Sequence, residues 1–216
     1  MKSQNDRETQ TYTLYYRKYG LLVVGAFAVA ILCFFTTPFN LVASDEKLST
    51  EMIQELPLEL KTEKANSLVN TIHKRLQLMP EVARFKWNNT RPILDKEREE
   101  ALLSQIVLKA EALGVDPKEA RDFFRNQMEA AKLIQIEAFN NWANENAYKL
   151  EQDAEALSEI RAQIDQINNT LLAELQEILP LMNDPEFQDL LLERANDIMS
   201  AQAEEVRRIS IDSLLP

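Results

Sequence analysis

The fold is decided by the stretch Leu68-Val-Asn-Thr-Ile-His-Lys-Arg-Leu-Gln-Leu-Met-Pro-Glu-Val-Ala-Arg-Phe-Lys86. Its apolar residues recur mostly at steps of three and four, which places them on one face of an α-helix. Working outward, the same spacing begins near Pro57 and continues to about Asn89. Because Pro80 lies inside the pattern, we expect a long amphipathic helix with a kink at that residue.

Helix start and stop signals divide the rest of the chain. Residues 90–94 read as a loop, after which Asp95 can cap a helix that runs to about Leu113. Gly114-Val-Asp-Pro117 then supplies a C-terminal glycine, an N-cap aspartate and a proline for a first helical turn. Further helices are predicted over residues 117–150, 154–179 and 185–214.

Composition supports an all-α protein. The 216 residues include only three glycines and few aromatics, whereas helix-favouring Leu, Ala, Glu and Gln are abundant. We therefore predict a bundle of about five or six helices, with a main domain over residues 45–180 and a C-terminal helix over 181–216 packed on it. A net charge of -11 argues against nucleic acid as a partner, since phosphate binding needs a surface rich in Lys and Arg.

The first 44 residues are typical of an export signal. Lys and Arg at positions 2, 7, 17 and 18 precede an uncharged apolar run over residues 21–35, and the small residues of Leu41-Val-Ala-Ser44 allow cleavage after Ala43 or Ser44. An uncleaved inner-membrane anchor over residues 20–39 is the alternative. We expect an exported, periplasmic or secreted protein. Its sole cysteine, Cys33, lies in the apolar run, so the mature chain would hold no disulfide.

No common catalytic apparatus is visible in the mature region. His73 is the only histidine, and there is neither a P-loop nor a Rossmann glycine pattern. A zinc site or a Ser-His-Asp triad would need more imidazole than the chain offers, so we expect no metal and no cofactor. We interpret His73 as an ordinary helix-surface residue.

Charged residues nevertheless recur at helical spacing. Arg75 and Lys86 are eleven residues apart, which brings them within about 20° of one helix face. Asp95, Arg98 and Glu99 share a face of the following helix. On spacing alone, a solvated face of salt bridges is the simpler interpretation. Gln127, Ala131 and Gln135 follow at one-turn steps, and Arg161 is equally ambiguous.

Residues 68–176 resemble the all-α chorismate mutases, in particular the exported subclass in which one chain forms a complete site. The resemblance rests on the string Arg-Leu…Val-Ala-Arg-Phe-Lys-Trp-Asn…Arg-Pro-Ile…Asp-x-x-Arg-Glu and on the positions that follow it. It implies conversion of chorismate to prephenate, and it suggests a homodimer. The site residues that it implies are Arg75, Lys86, Asp95, Arg98, Glu99, Gln135 and Arg161.

The resemblance also implies a role for each residue. Arg75, Arg98 and Arg161 would bind the two substrate carboxylates, and Lys86 and Gln135 would address the ether oxygen. Glu99 and the neighbourhood of Asp95 would hold the ring hydroxyl. Ala131 departs from the pattern, because relatives usually carry a hydroxyl or amide side chain there.

Two other functions stay open at this stage. One is a non-catalytic helical adaptor, attached to the membrane by its N-terminal segment. The other is a degenerate mutase that binds a related metabolite as a sensor, for which Ala131 would be the sign. Turnover of chorismate separates the first interpretation from both alternatives.

Overall fold

The computed structural model describes residues 56–150 and 157–215, and these ranges fold into helices without a strand. The predicted signal or anchor over residues 1–44 lies outside them. The helices are α1 Leu58–Gln77, α2 Met79–Asn88, α3 Lys96–Leu113, α4 Pro117–Asn144, α5 Leu157–Ile178, α6 Pro185–Ile198 and α7 Glu204–Asp212. A 3-10 turn, Leu179–Leu181, follows α5. The all-α prediction is confirmed.

Several boundaries follow the sequence signals. Asp95 caps α3 by accepting a hydrogen bond from the backbone N–H of Arg98, at 3.2 Å. Gly114 ends α3 with a left-handed φ of 72°, and the side chain of Asp116 accepts the backbone N–H groups of Lys118 and Glu119 at the start of α4. A capped turn of this kind satisfies backbone groups that a helix end leaves open.

Three helix predictions were wrong in detail. The first helix is not kinked at Pro80 but broken at Leu78, so that Pro80 lies in the first turn of α2, where its missing N–H costs nothing. The predicted helix over 117–150 ends at Asn144, and Asn146 turns the chain with a φ of 54°. The predicted helix over 185–214 is divided into α6 and α7 by residues 199–203. The predicted start at Ala154 lies outside the described residues, which resume at Leu157.

Two central helices organise the packing. α1 packs against α5 and α6, and α4 packs against α2, α3 and α7. Their facing sides form a common apolar core whose largest fully buried side chains include Leu68, Ile72, Phe123, Phe124, Leu172 and Phe187. A close-packed core holds the helices, and the polar side chains that they carry, in fixed positions.

A charged contact fixes the C-terminal helices to α1. The Nζ atom of Lys61 lies 2.6 Å from a carboxylate oxygen of Asp184 and 2.6 Å from one of Glu186, while Lys61 as a whole is only 3% exposed. The hydrogen bond between Lys61 and Asp184 raises the pKa of the lysine and lowers that of the aspartate. Asp184 also caps α6, so one carboxylate sets both the start of this helix and its attachment.

None of the described helices has the length and apolar character needed to cross a membrane. Residues 1–55 are not among them, so the choice between a cleaved signal and an anchor stays a prediction from the sequence.

The packing of α6 yields a stability prediction. Phe187 is fully buried, so Phe187→Ala should lower the free energy of unfolding by about 3–5 kcal/mol through lost burial and a cavity. Leu192→Ala on the same helix is the control, because Leu192 is 41% exposed and should change stability by less than about 1 kcal/mol. Urea denaturation of both variants measures the difference. Equal effects would contradict the packing described for α6.

Candidate active site

A cavity between α1, α2, α3, α4 and α5 gathers the polar residues that the sequence singled out. All seven predicted site residues line it: Arg75, Lys86, Asp95, Arg98, Glu99, Gln135 and Arg161. Its apolar lining includes Met79, Val82, Leu102, Met128 and Ile164. Residues from five helices and from the loop before α3 thus converge on one space. A simple solvated face of salt bridges does not account for that convergence.

Arg75 is the most deeply placed cation of the cavity. It is 3% exposed, its Nε donates to the side-chain oxygen of Asn168 at 3.0 Å, and its Nη1 donates to the backbone oxygen of Gln127 at 2.9 Å. Burial lowers the pKa of Arg75 to about 10, although Asp165 acts in the opposite direction. The guanidinium therefore stays charged at neutral pH. Within the described ranges it forms no ion pair with a carboxylate.

Lys86 is also buried, at 8% exposure. Its Nζ donates to the backbone oxygen of Ile93 at 2.7 Å, which holds the ammonium against the loop that leads to α3. Burial lowers the pKa of Lys86, and the nearby Asp95 counteracts only part of that effect. An ammonium has three donors, so two remain for other partners.

The two outer arginines are each paired with a carboxylate. Arg98 lies 3.2 Å from Asp165, and Arg161 lies 3.6 Å from Asp95. The four side chains are between 37% and 47% exposed. Half-exposed ion pairs are weak because water screens them and because two long side chains must be ordered. A ligand carboxylate can therefore join or displace these partners at little cost.

Gln135 is buried beside the same cavity. Its Nε2 donates to the backbone oxygen of Ala131 at 3.1 Å and lies 4.0 Å from the sulfur of Met79. Its Oε1 is buried without a hydrogen-bond partner among the described residues. The amide nitrogen carries two N–H groups, and Ala131 engages one of them, so the second is left with only the long contact to the sulfur of Met79.

Sequence reasoning missed three polar residues of this region: Lys132, Asp165 and Asn168. Lys132 lines the cavity and lies 3.3 Å from Glu99 and 2.7 Å from Glu129. Burial acts to lower the pKa of Lys132, but the two carboxylates outweigh burial and raise it. Asp165 and Asn168 follow Arg161 at steps of four and three, a helical spacing that places all three on one face of α5.

A second depression adjoins the cavity and shares Lys86, Asp95 and Arg161 with it. The loop before α3 supplies its outer wall through Arg91, Pro92 and Leu94. The charged residues of the site therefore extend from the buried interior towards the surface at this loop.

Comparison with known proteins agrees with this arrangement. A family model for chorismate mutase type II matches residues 66–136. The crystal structure of a chorismate mutase from Burkholderia thailandensis is 30% identical in sequence and aligns with a TM-score of 0.63, covering 70% of this chain and 98% of that one. The chain belongs to the chorismate mutase family. The family assignment made from the sequence is confirmed.

Curated relatives in this family add the cellular setting. A secreted chorismate mutase of Mycolicibacterium smegmatis is 30% identical over 118 residues, which is 55% of this chain and 65% of that protein. A secreted chorismate mutase of Mycobacterium tuberculosis is 28% identical over 153 residues, which is 71% of this chain and 73% of that protein. The first alignment thus spans slightly less than two thirds of the relative. The names of both relatives agree with an exported localisation.

The burial of Lys86 predicts a measurable ionisation. Titration by nuclear magnetic resonance should give Lys86 a pKa below the ordinary value of a lysine side chain, because desolvation disfavours the ammonium. Lys86→Arg identifies the signal by removing it. The pKa of Lys86 is lower in the folded than in the unfolded protein, so between these two pKa values the unfolded protein binds the extra proton. The free energy of unfolding should therefore rise as pH increases through this range. A Lys86 pKa at or above the ordinary value of a lysine side chain would contradict the burial described.

Proposed function

We propose that the chain catalyses the rearrangement of chorismate to prephenate within the cavity lined by the seven residues. The reaction breaks one carbon–oxygen bond of an ether and forms one carbon–carbon bond in the same molecule. It needs no nucleophile and no obligatory proton transfer. It benefits from restraint of the reactive ring conformer and from stabilisation of negative charge that grows on the ether oxygen.

The balance of charge in the cavity is the observation that carries this proposal. Five cations, Arg75, Lys86, Arg98, Lys132 and Arg161, and three carboxylates, Asp95, Glu99 and Asp165, line it, which leaves a net charge of +2. Chorismate carries two carboxylates. Ion pairs within the described ranges engage three of these cations, and Arg75 and Lys86 remain available for a dianion.

The three arginines suit the carboxylates of the substrate. A guanidinium is a planar fork that binds a carboxylate through two parallel hydrogen bonds. In this proposal Arg75 binds a carboxylate in the interior, where its desolvated charge has most to gain from an anion. Arg98 and Arg161 bind nearer the surface. Fixing both carboxylates restrains the substrate in the conformer in which its side chain reaches across the ring.

Lys86 and Gln135 are assigned to the ether oxygen. Lys86 is a compact charge held by the backbone of Ile93, and a charge fixed in a dry site stabilises a developing oxyanion without reorganisation. Gln135 joins it through the N–H group of Nε2 that Ala131 does not engage, since the 4.0 Å contact of this nitrogen with the sulfur of Met79 is weak.

Glu99 and Asp95 are assigned to the ring hydroxyl, because an ionised carboxylate accepts a hydrogen bond from it. The apolar residues Met79, Val82, Leu102 and Ile164 then enclose the ring and exclude water. Exclusion of water strengthens each of the charged contacts inside.

The activity prediction uses the full chain, purified without added metal or cofactor. Chorismate should be consumed, with loss of the diene absorbance of the substrate, and Lys86→Ala should reduce kcat by about 100-fold or more because a pre-organised charge at the ether oxygen is lost. Lys118→Ala is the matched control, since the Lys118 side chain is 85% exposed on α4, and its kcat should equal that of the unmodified protein.

Other outcomes of this assay favour the alternatives. If a folded protein binds chorismate saturably but does not convert it, the protein is a metabolite sensor and not an enzyme. If a folded protein neither binds nor converts chorismate, the helical adaptor is the interpretation that remains. An active Lys86→Ala variant would keep the enzyme and overturn the assignment of Lys86.

We also propose export with cleavage of the N-terminal segment, which the secreted relatives support. Expression of the full chain in a Gram-negative host should give a periplasmic protein whose mass corresponds to cleavage after Ala43 or Ser44. Val24→Arg, which places a charge in the apolar run, should block export. A full-length protein in the membrane fraction would establish the anchor instead, and one in the cytoplasm would contradict export.

Homodimerisation is part of the proposal, on the strength of the family resemblance alone. Light scattering of the purified protein measures it directly. A mass equal to that of a single chain would contradict homodimerisation. It would not affect the proposed active site, because one chain supplies all seven residues.

A further inference from the structure

Lys132 is a charged residue of the cavity to which the reaction assigns no role. It lies on α4 next to Ala131. The side chain of Lys132 is 18% exposed, and its Nζ connects two helices by contacting Glu129 on α4 and Glu99 on α3. Lys118 differs in both respects, because its side chain is 85% exposed and its ion pair with Asp122 stays within α4.

The contact with Glu99 is specific to one oxygen. The Nζ atom of Lys132 donates to Oε2 of Glu99 at 3.3 Å, and Oε1 forms no hydrogen bond within the described ranges. Glu99 is itself only 23% exposed at its side chain. A carboxylate with one oxygen held by a fixed cation presents its second oxygen in a defined direction.

We propose that Lys132 is a positioning residue that orients Glu99, so that Glu99 accepts the hydrogen bond of the substrate's ring hydroxyl. The inference rests on the proposed function, because it concerns how the ring of the substrate is recognised. Glu129 completes the arrangement with a second contact to the Nζ atom of Lys132, at 2.7 Å.

Other charged groups around the cavity act on Glu99 as well. Lys86 faces it from α2, Arg161 and Asp165 face it from α5, and Asp95 and Arg98 belong to its own helix and cap. Lys132 is the cation with a direct contact to Glu99 among the described residues. Arg98 and Arg161 are occupied by Asp165 and Asp95. Removal of Lys132 therefore leaves Glu99 without a contacting cation, although Lys86 still acts on it from a greater distance.

The proposal predicts a specific kinetic change for Lys132→Met, which keeps the apolar stem and removes the charge. The ring hydroxyl is present in both substrate and transition state, so loss of its acceptor should raise KM by roughly tenfold and leave kcat within about threefold. Lys132→Arg, which keeps a cation within reach of Glu99, should restore KM.

A double-mutant cycle with Glu99→Gln tests whether Lys132 acts through Glu99. If it does, Lys132→Met should have little further effect on KM in the Glu99→Gln background. Lys118→Met provides the same substitution on an exposed part of α4 and should leave KM and kcat unchanged. Circular dichroism and thermal unfolding of each variant show that it has folded.

The outcomes separate this inference from the proposed function. No turnover by the unmodified protein would overturn both. Turnover with an unchanged KM in Lys132→Met would overturn the role of Lys132 alone. If Lys132→Met raises KM equally with and without Glu99→Gln, Lys132 does not act through Glu99. That outcome would also overturn the proposed role of Lys132.

Discussion

The buried guanidinium of Arg75 is the constraint on which much of this structure depends. A charge removed from water must be hydrogen-bonded, and here neutral groups on two other helices provide that: Asn168 on α5 and the backbone of Gln127 on α4. Arg75 itself comes from α1. The three helices can therefore pack only in an arrangement that keeps both hydrogen bonds. The position of the cation and the packing of the helices thus depend on each other.

This constraint extends to the C-terminal helices. Gln127 is fully buried, and its Nε2 donates to the backbone oxygen of Ser210 on α7. The residue whose backbone supports Arg75 is thus tied by its side chain to the end of the chain. Phe187 on α6 and the contacts of Lys61 with Asp184 and Glu186 attach the same region to α1. Residues after 180 brace the helices that carry the site and supply none of its lining side chains.

The sequence predicted the fold where a local signal decides it. Gly114, Asp116 and Pro117 satisfy or interrupt backbone hydrogen bonds wherever they occur, so the turn between α3 and α4 could be placed correctly. The end of α4 at Asn144 could not, because residues 145–150 contain neither glycine nor proline. Their path is set by distant contacts instead: Trp87 donates to the backbone oxygen of Ala147, and Asn88 exchanges hydrogen bonds with Leu150. Residues 199–203 likewise carry no strong breaker, and the division of α6 from α7 could not be predicted from them.

For the site, too, residues recognised by their spacing along the chain could be predicted, whereas residues recognised by contacts between distant helices could not. Resemblance identified seven residues that line one cavity, because their types and spacing can be compared position by position. It did not identify Lys132, Asp165 or Asn168, whose importance lies in partners 33, 67 and 93 positions away along the chain. Such partners depend on how helices cross, which periodicity within one helix does not determine.

The distribution of charge explains how one cavity can hold so many charged groups. The half-exposed arginines are balanced by carboxylates, and these ion pairs are weak because water screens them. Arg75 and Lys86 are held by neutral groups, so their desolvation is only partly offset. The apolar core around Leu68, Phe123 and Leu172 supplies the stability that makes this arrangement possible. The two cations with uncompensated charge are also those that the proposed function assigns to an interior carboxylate and to the ether oxygen of the substrate.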